Sequence, residues 1–347
     1  MEKFPIFKYS YITEDNDEIT KYFTKYINYT NKLVEEVQNN SKDAAEIPLT
    51  FYPIAKNIRI PSSYMAINIL HGKSSYIKNM ARVGEENFWK YNMNMVNWFP
   101  WLWSRGRIAG NYTNIDGWKY YFDSFAEKKI KLSRHDEFLE PPNHLILFFT
   151  YLSCIKYTFE LNDNYKKMMN NYKIDMNWPE HSKVLAIQIR RGDSATKDGS
   201  VCNRPFFHLQ KYIEKAEILI NEHGYEYIYI STDSNEEIDV IKQMKPEWKL
   251  LYLPIDRSNF FRMADKIVDL EVFCSNEPEK IPFIVDSGIA DLYFISMSQG
   301  YVSTISISEF SRCGWYLQIA TQTKITPYYD IIEQDMDMSK RDMLLLL

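Results

Sequence analysis

The sequence predicts an α/β protein whose C-terminal part is a doubly wound parallel sheet. Two observations predict it. From Val184 onward, short apolar runs alternate with amphipathic helical patterns, the rhythm of βαβ units. Each run also stops abruptly at polar residues, as a strand buried on both faces does where it reaches a loop.

The elements follow in order. Residues 184–189 (VLAIQI) form the first strand and end in Arg190-Arg191-Gly192-Asp193. Pro205 opens a helical pattern, FFHLQKYIEKAEILINEHG, with proline in its tolerated early place and Gly224 as the stop. Residues 227–231 (YIYIS) are the second strand, followed by Thr232-Asp233-Ser234. A helix over 235–244, a strand near 250–253, a helix over 281–297, a strand over 301–304 and a helix over 308–320 complete the alternation. Upstream, residues 1–180 show no βα rhythm. They hold an acidic amphipathic stretch (19–37), a Trp-dense run, NWFPWLWSRGR, covering Trp98 to Trp103, and one long helical pattern near 144–169. Residues 338–347 read as a last helical turn or a tail.

Composition bounds the function. At about 100–200 residues per domain, 347 residues imply two domains. A net charge of −5 provides no footprint for gripping nucleic acid or anionic lipid, so neither partner is expected. The four cysteines (Cys154, Cys202, Cys274, Cys313) have no CxxC spacing, which argues against a structural zinc site and for free buried thiols. The first twenty residues turn acidic by Asp15 and hold no apolar stretch, and no segment reaches the ~18 apolar residues of a membrane span. A cytoplasmic protein without a membrane span is the expectation. The three sequons at Asn28, Asn39 and Asn111 are what an Asn-rich chain contains by chance. The aromatic share of 16% fits a rich core, sugar-stacking platforms or coding bias alike.

In an open α/β sheet, ligands bind beyond the carboxyl ends of the strands. Arg190, Arg191 and Asp193, then Thr232 and Asp233, then Thr304 and Ser306 stand there. Two arginines at a buried strand end demand carboxylates or a phosphate, and a guanidinium fork binds two diphosphate oxygens at once. Alternation sends them to opposite sides, so one faces ligand and the other anchors the loop on an acid such as Asp193 or Asp233. No GxGxxG or GxxxxGK[ST] loop follows a strand, which weighs against dehydrogenase and P-loop chemistry. The acid pairs Asp15/Asp17 and Asp335/Asp337 match a short DxD pattern but lie near the termini and read as solvated. No histidine spacing suits a metal. The Trp-dense run suits either a sugar face or helix packing, and Arg105 and Arg107 beside it either an anion or solvent.

Three blocks, VLAIQIRRGD, YIYISTDS and GIADLYFISMSQGYVSTISISEFSR, together resemble the GDP-fucose-dependent fucosyltransferases, in particular the α1,6 and nodulation-type enzymes, with α1,2- and protein O-fucosyltransferases as wider kin. The resemblance runs from Val184 to about Ala320. It implies a GT-B-like fold: two domains with a cleft between them, residues 1–183 on the acceptor side, 184–337 a Rossmann-like sugar-nucleotide domain and 338–347 a tail. It also implies inverting, metal-independent transfer of fucose, with GDP-fucose as donor, a glycan or protein hydroxyl as acceptor and no cofactor.

Residue by residue, Arg190 matches the family's essential arginine, which binds the β-phosphate and stabilises the leaving diphosphate. Arg191 and Asp193 match the motif's second Arg and its Asp. Asp291 matches the helix Asp that recognises guanine, and Asp233, Thr304 and Ser306 fall where relatives contact nucleotide. Asp198 stands at the spacing of the assigned base, although Lys197-Asp198-Gly199 reads equally as an exposed turn. Departures from the pattern are Gln188 in place of a histidine, Ser194 in place of a lysine (with Lys197 as its substitute) and one extra residue between Thr304 and Arg312. Three alternatives stay open: a GT-B transferase using GDP-mannose or a UDP-sugar, a non-catalytic glycan binder, and an adhesion module displaying Arg191-Gly192-Asp193.

Overall fold

A computed structural model describes residues 11–12, 17–41, 44–47, 54–77, 144–191, 206–259, 281–305 and 307–332. The chain forms two compact units. One comprises Met1–Asp15, Lys167–Gln318 and Thr326–Asp337; the other comprises Asn16–Lys166, Ile319–Ile325 and Met338–Leu347.

The first unit contains β1 (Tyr11–Ile12), β4 (Val184–Ile189), α5 (Leu209–His223), β5 (Tyr227–Thr232), α6 (Asn235–Met244), β6 (Lys249–Leu251), α7 (Ile281–Met297), β7 (Gly300–Ser303) and β8 (Tyr328–Asp330). Helix α8 (Glu309–Gln322) begins here and its last turn belongs to the other unit. The sheet order is β1-β8-β7-β4-β5-β6. All neighbours are parallel except β1, which runs antiparallel to β8. From β4 the chain builds outward to β6, then returns to the other side of β4 and builds outward to β8. The order therefore reverses between β4 and β7, where an open α/β sheet leaves a crevice at its carboxyl edge.

Every residue of β4 is buried, which is why its run is apolar on both faces. Leu185, Ile187 and Ile189 pack with Ile228, Ile230 and Val302 against Tyr212, Ala216 and Leu219 of α5 and Ile238 and Ile241 of α6. The alternate residues meet α7 and α8: Tyr229 bonds Asp291, and Gln188 bonds Ser311. Gly300 opens β7 because a Cβ there collides with the Tyr225 side chain, whose hydroxyl donates to the Gln299 carbonyl at 2.8 Å.

Helix α5 starts at Leu209, later than Pro205, because His208 holds an extended backbone (φ −59°, ψ 142°). It stops at Gly224, left-handed at φ 65°, whose N–H reaches the Ile220 carbonyl. The long pattern near 144–169 is two helices, α3 (His144–Thr158) and α4 (Asp163–Asp175). Asn162 makes the break: its side-chain oxygen accepts from the Tyr165 N–H at 3.0 Å, a helix cap.

The second unit corrects the expectation that residues 1–180 lack βα structure. Here β2 (Ala44–Ile47) and β3 (Ser74–Ile77) pair in parallel across α2 (Ile54–Leu70). The strands AAEI and SSYI have no branched apolar run, and Pro61 inside α2 argues against a helix, so neither signal was present. Helices α1 (Asp17–Asn40) and α2 both pack on α3, whose sequence is apolar around most of its circumference. Thr30 and Ser153 hydroxyls meet at 2.7 Å, Arg59 donates to the Tyr151 hydroxyl at 3.1 Å, and Gln38 bonds both the N–H and the carbonyl of Ser75. Cys154 is a buried free thiol in α3, its acidity suppressed by burial. Among the described residues no helix is long and apolar enough to cross a membrane.

Candidate functional site

The carboxyl edge of the first unit's sheet gathers charged residues at the end of β4. Arg190 and Arg191 follow the strand with different exposures and different carboxylate partners. The Arg190 side chain is 38% exposed, with Nη1 3.4 Å from Asp233 Oδ2. The Arg191 side chain is only 6% exposed, its Nε donating to Glu237 Oε1 at 2.6 Å. The Arg191 guanidinium carbon lies 4.4 Å from the Phe206 ring centroid and 5.7 Å from that of Tyr212. Its Nη2 is buried with no hydrogen-bond partner among the described residues. Asp233 serves both arginines, because its Oδ1 accepts the Arg191 backbone N–H at 2.8 Å. Burying such a pair costs desolvation, which a short charge-assisted bond and a cation–π face offset.

Gln188, one residue inside the strand, is committed to the protein interior. The Ser303 and Ser311 hydroxyls lie 2.7 and 2.6 Å from its side-chain oxygen and 2.8 Å from each other. The Ser303 hydroxyl also lies 3.1 Å from the Gln188 backbone carbonyl, so four contacts share the two hydroxyl protons. A ligand therefore meets at most the amide donor of Gln188.

Asp291 on α7 faces β5. Its Oδ1 accepts from the Tyr229 hydroxyl at 2.5 Å, and Ser231 bonds it as well. Burial pushes its carboxyl up to about 6, moderated by those two bonds and by the Arg257 cation. Burial likewise pushes the Tyr229 phenol upward, reinforced by the Asp291 charge. Trp178 and Phe294 pack on the Tyr229 ring at centroid distances of 5.6 and 5.5 Å. Arg257, 3% exposed, donates from Nε to the Thr232 carbonyl and from Nη1 to the Leu253 and Ile255 carbonyls. Its buried Nη2 has no hydrogen-bond partner among the described residues.

Thr304, just beyond β7, is buried and bonds the Tyr212 hydroxyl, which burial pushes up to about 12. Its carbonyl accepts the Ser308 N–H at 3.0 Å, closing the turn into α8, and Ser308 caps that helix through the Ser311 N–H.

The structure thus gathers Arg190, Arg191 and Asp233 at one strand end. It places Gln188 of the same strand, Asp291 on α7 and Thr304 beyond β7 in buried hydrogen-bonded positions. Asp193, Asp198 and Ser306 lie outside the described residues, as do Lys197, the Trp98–Trp103 run, Arg105 and Arg107. Glu237 and Arg257 escaped the sequence reading. Glu237 had a signal, since Ser234-Asn235-Glu236-Glu237 spells a capping box. Arg257 had none beyond following a strand. The burial of Arg191 removes the adhesion alternative, because a receptor needs that side chain presented.

No family model matches the chain, and no curated protein matches it. Among solved structures, a NodZ alpha-1,6-fucosyltransferase soaked with GDP-fucose is similar over 48% of this chain and 47% of its own, at 14% identity and a TM-score of 0.32. Fucosyltransferase NodZ from Bradyrhizobium is similar over 46% and 44%, at 11% identity and a TM-score of 0.32. POFUT1 in complex with GDP-fucose is similar over 52% and 49%, at 11% identity and a TM-score of 0.32. The matched span is about half the length of each of these proteins.

Proposed function

We propose that this chain is a glycosyltransferase that moves fucose from GDP-fucose to a glycan or protein hydroxyl. The observation that carries the reading is the half-exposed Arg190 guanidinium at the end of the central strand, held next to Asp233 while Arg191 is buried. When the bond from sugar to phosphate breaks, charge builds on the diphosphate. A fixed guanidinium at that place stabilises the leaving group as a divalent metal otherwise does. The three blocks that resemble the fucosyltransferases put their essential arginine at this residue. In the same reading Asp291 accepts from the guanine ring N–H and exocyclic amine. The sheet is doubly wound within a GT-B-like pair of domains, and transfer inverts the anomeric centre without a metal.

Incubation with GDP-fucose and a mixed glycan array, followed by mass spectrometry, tests this. The expected product carries one added deoxyhexose. Absence of any such product across the array, with GDP-fucose left intact, overturns the reading.

Gln188 favours a second reading. Its carboxamide oxygen is committed to Ser303 and Ser311 where the fucosyltransferases carry a histidine, which suits a transferase with another donor, GDP-mannose or a UDP-sugar. Stabilisation by UDP and not by GDP in a thermal scan selects its UDP-sugar form, and turnover of GDP-mannose but not of GDP-fucose selects the other.

A further inference from the structure

We propose that Glu237 is a positioning residue for the diphosphate-binding arginine: through Arg191 it sets the strand-end backbone and reserves Asp233 for Arg190. The inference rests on the nucleotide-sugar reading above and extends it to a residue on a different element, α6.

The local bonding singles out Glu237. In a capping box, the glutamate at the third helical position turns back to the N–H of the cap residue. Ser234 does cap α6, its hydroxyl accepting the Glu237 N–H at 3.3 Å. Its own N–H, however, goes to the Thr232 hydroxyl at 3.3 Å. With that donor satisfied by Thr232, the Glu237 carboxylate turns the other way and takes Arg191 Nε at 2.6 Å.

The consequence for Arg190 runs through Asp233. Asp233 offers one oxygen to the Arg191 backbone N–H and faces the Arg190 guanidinium with the other. Arg191 is buried, and its Nη2 has no hydrogen-bond partner among the described residues. Without the Glu237 charge, Nε loses its partner too, and a buried guanidinium with Nε and Nη2 both unmet is costly. Asp233 is the carboxylate already bonded to Arg191's own backbone, so the side chain then competes with Arg190 for it. Arg190 then shares its contact with Asp233, and diphosphate binding weakens although no residue that touches ligand has changed.

The test measures GDP binding by calorimetry on the full chain, with the melting temperature recorded for each variant. Glu237→Gln keeps size and removes charge; its GDP affinity should fall about tenfold, the scale of one charge-assisted hydrogen bond. Glu237→Asp keeps the charge on a shorter arm and should fall in between, which also covers the case where the Gln variant folds poorly. In an Arg190→Lys background, Glu237→Gln should cost less than in the native background, because the two act on the same contact. A lowered melting temperature with unchanged GDP affinity makes Glu237 an anchor for α6 alone and overturns the inference. So do effects that add fully across Arg190→Lys. Failure of the unaltered protein to bind GDP is a different result, and it removes the GDP-sugar reading itself.

Discussion

Arg190 and Arg191 are neighbours in the chain and differ in environment. One guanidinium is half in solvent beside Asp233; the other lies under Phe206 on Glu237. Replacing Arg190 with Ala should lower turnover about a hundredfold or more, the scale set by removing one charge-stabilising donor. Initial-rate measurement at saturating donor checks this, and unchanged turnover sinks the role given to Arg190. Asp291 carries the pH dependence. Its folded carboxyl sits at about 6, above the ordinary carboxylate value, because burial disfavours the charge. Its contribution to stability is therefore full below about pH 4 and is lost as pH rises through about 6. Under the proposed function, accepting from guanine needs the ionised form, so GDP affinity should rise between about pH 5 and pH 7. A titration calorimetry series should show that rise in the native chain and lose it in Asp291→Asn.

At the scale of elements, burial decides which are legible. The strands β4 and β5 stood out as contiguous apolar runs because both of their faces are covered. Helices α6 and α7 match their expected bounds, 235–244 and 281–297, and Gly224 stops α5 where expected. The β2–α2–β3 unit was invisible because its strands are short and small-residue rich and its helix contains a proline. Two substitutions test the elements that frame the site. Ser234→Ala removes the cap of α6 and should cost about 0.5–2 kcal/mol in urea unfolding. Gly300→Ala places a Cβ against Tyr225 and Leu185 at the start of β7, an overpacking of about 1–3 kcal/mol by the same measurement. A neutral Gly300→Ala variant means that Tyr225 gives way freely.

Across the whole molecule, the acidic net charge and the strand-end cations are compatible with the proposed function, because a sugar-nucleotide site would need a local cation and not a basic face. Ligand binding and folding are linked, so GDP at about a hundred times its dissociation constant should add about 2.7 kcal/mol to stability. A thermal scan should show the rise with GDP, lose it in Arg190→Ala and show none with UDP. The sequence by itself determined the alternation of strand and helix from Val184 and the two arginines at the first strand's end. Periodicity and burial are local properties that a run of residues carries within itself. Tertiary structure alone decided which carboxylate each arginine meets. Arg191 and Glu237 are 46 residues apart, Tyr229 and Asp291 62, and Gln188 and Ser311 123. Such pairs form only when the crossovers bring strand ends and helix starts to one edge, and no local pattern specifies which ends those are.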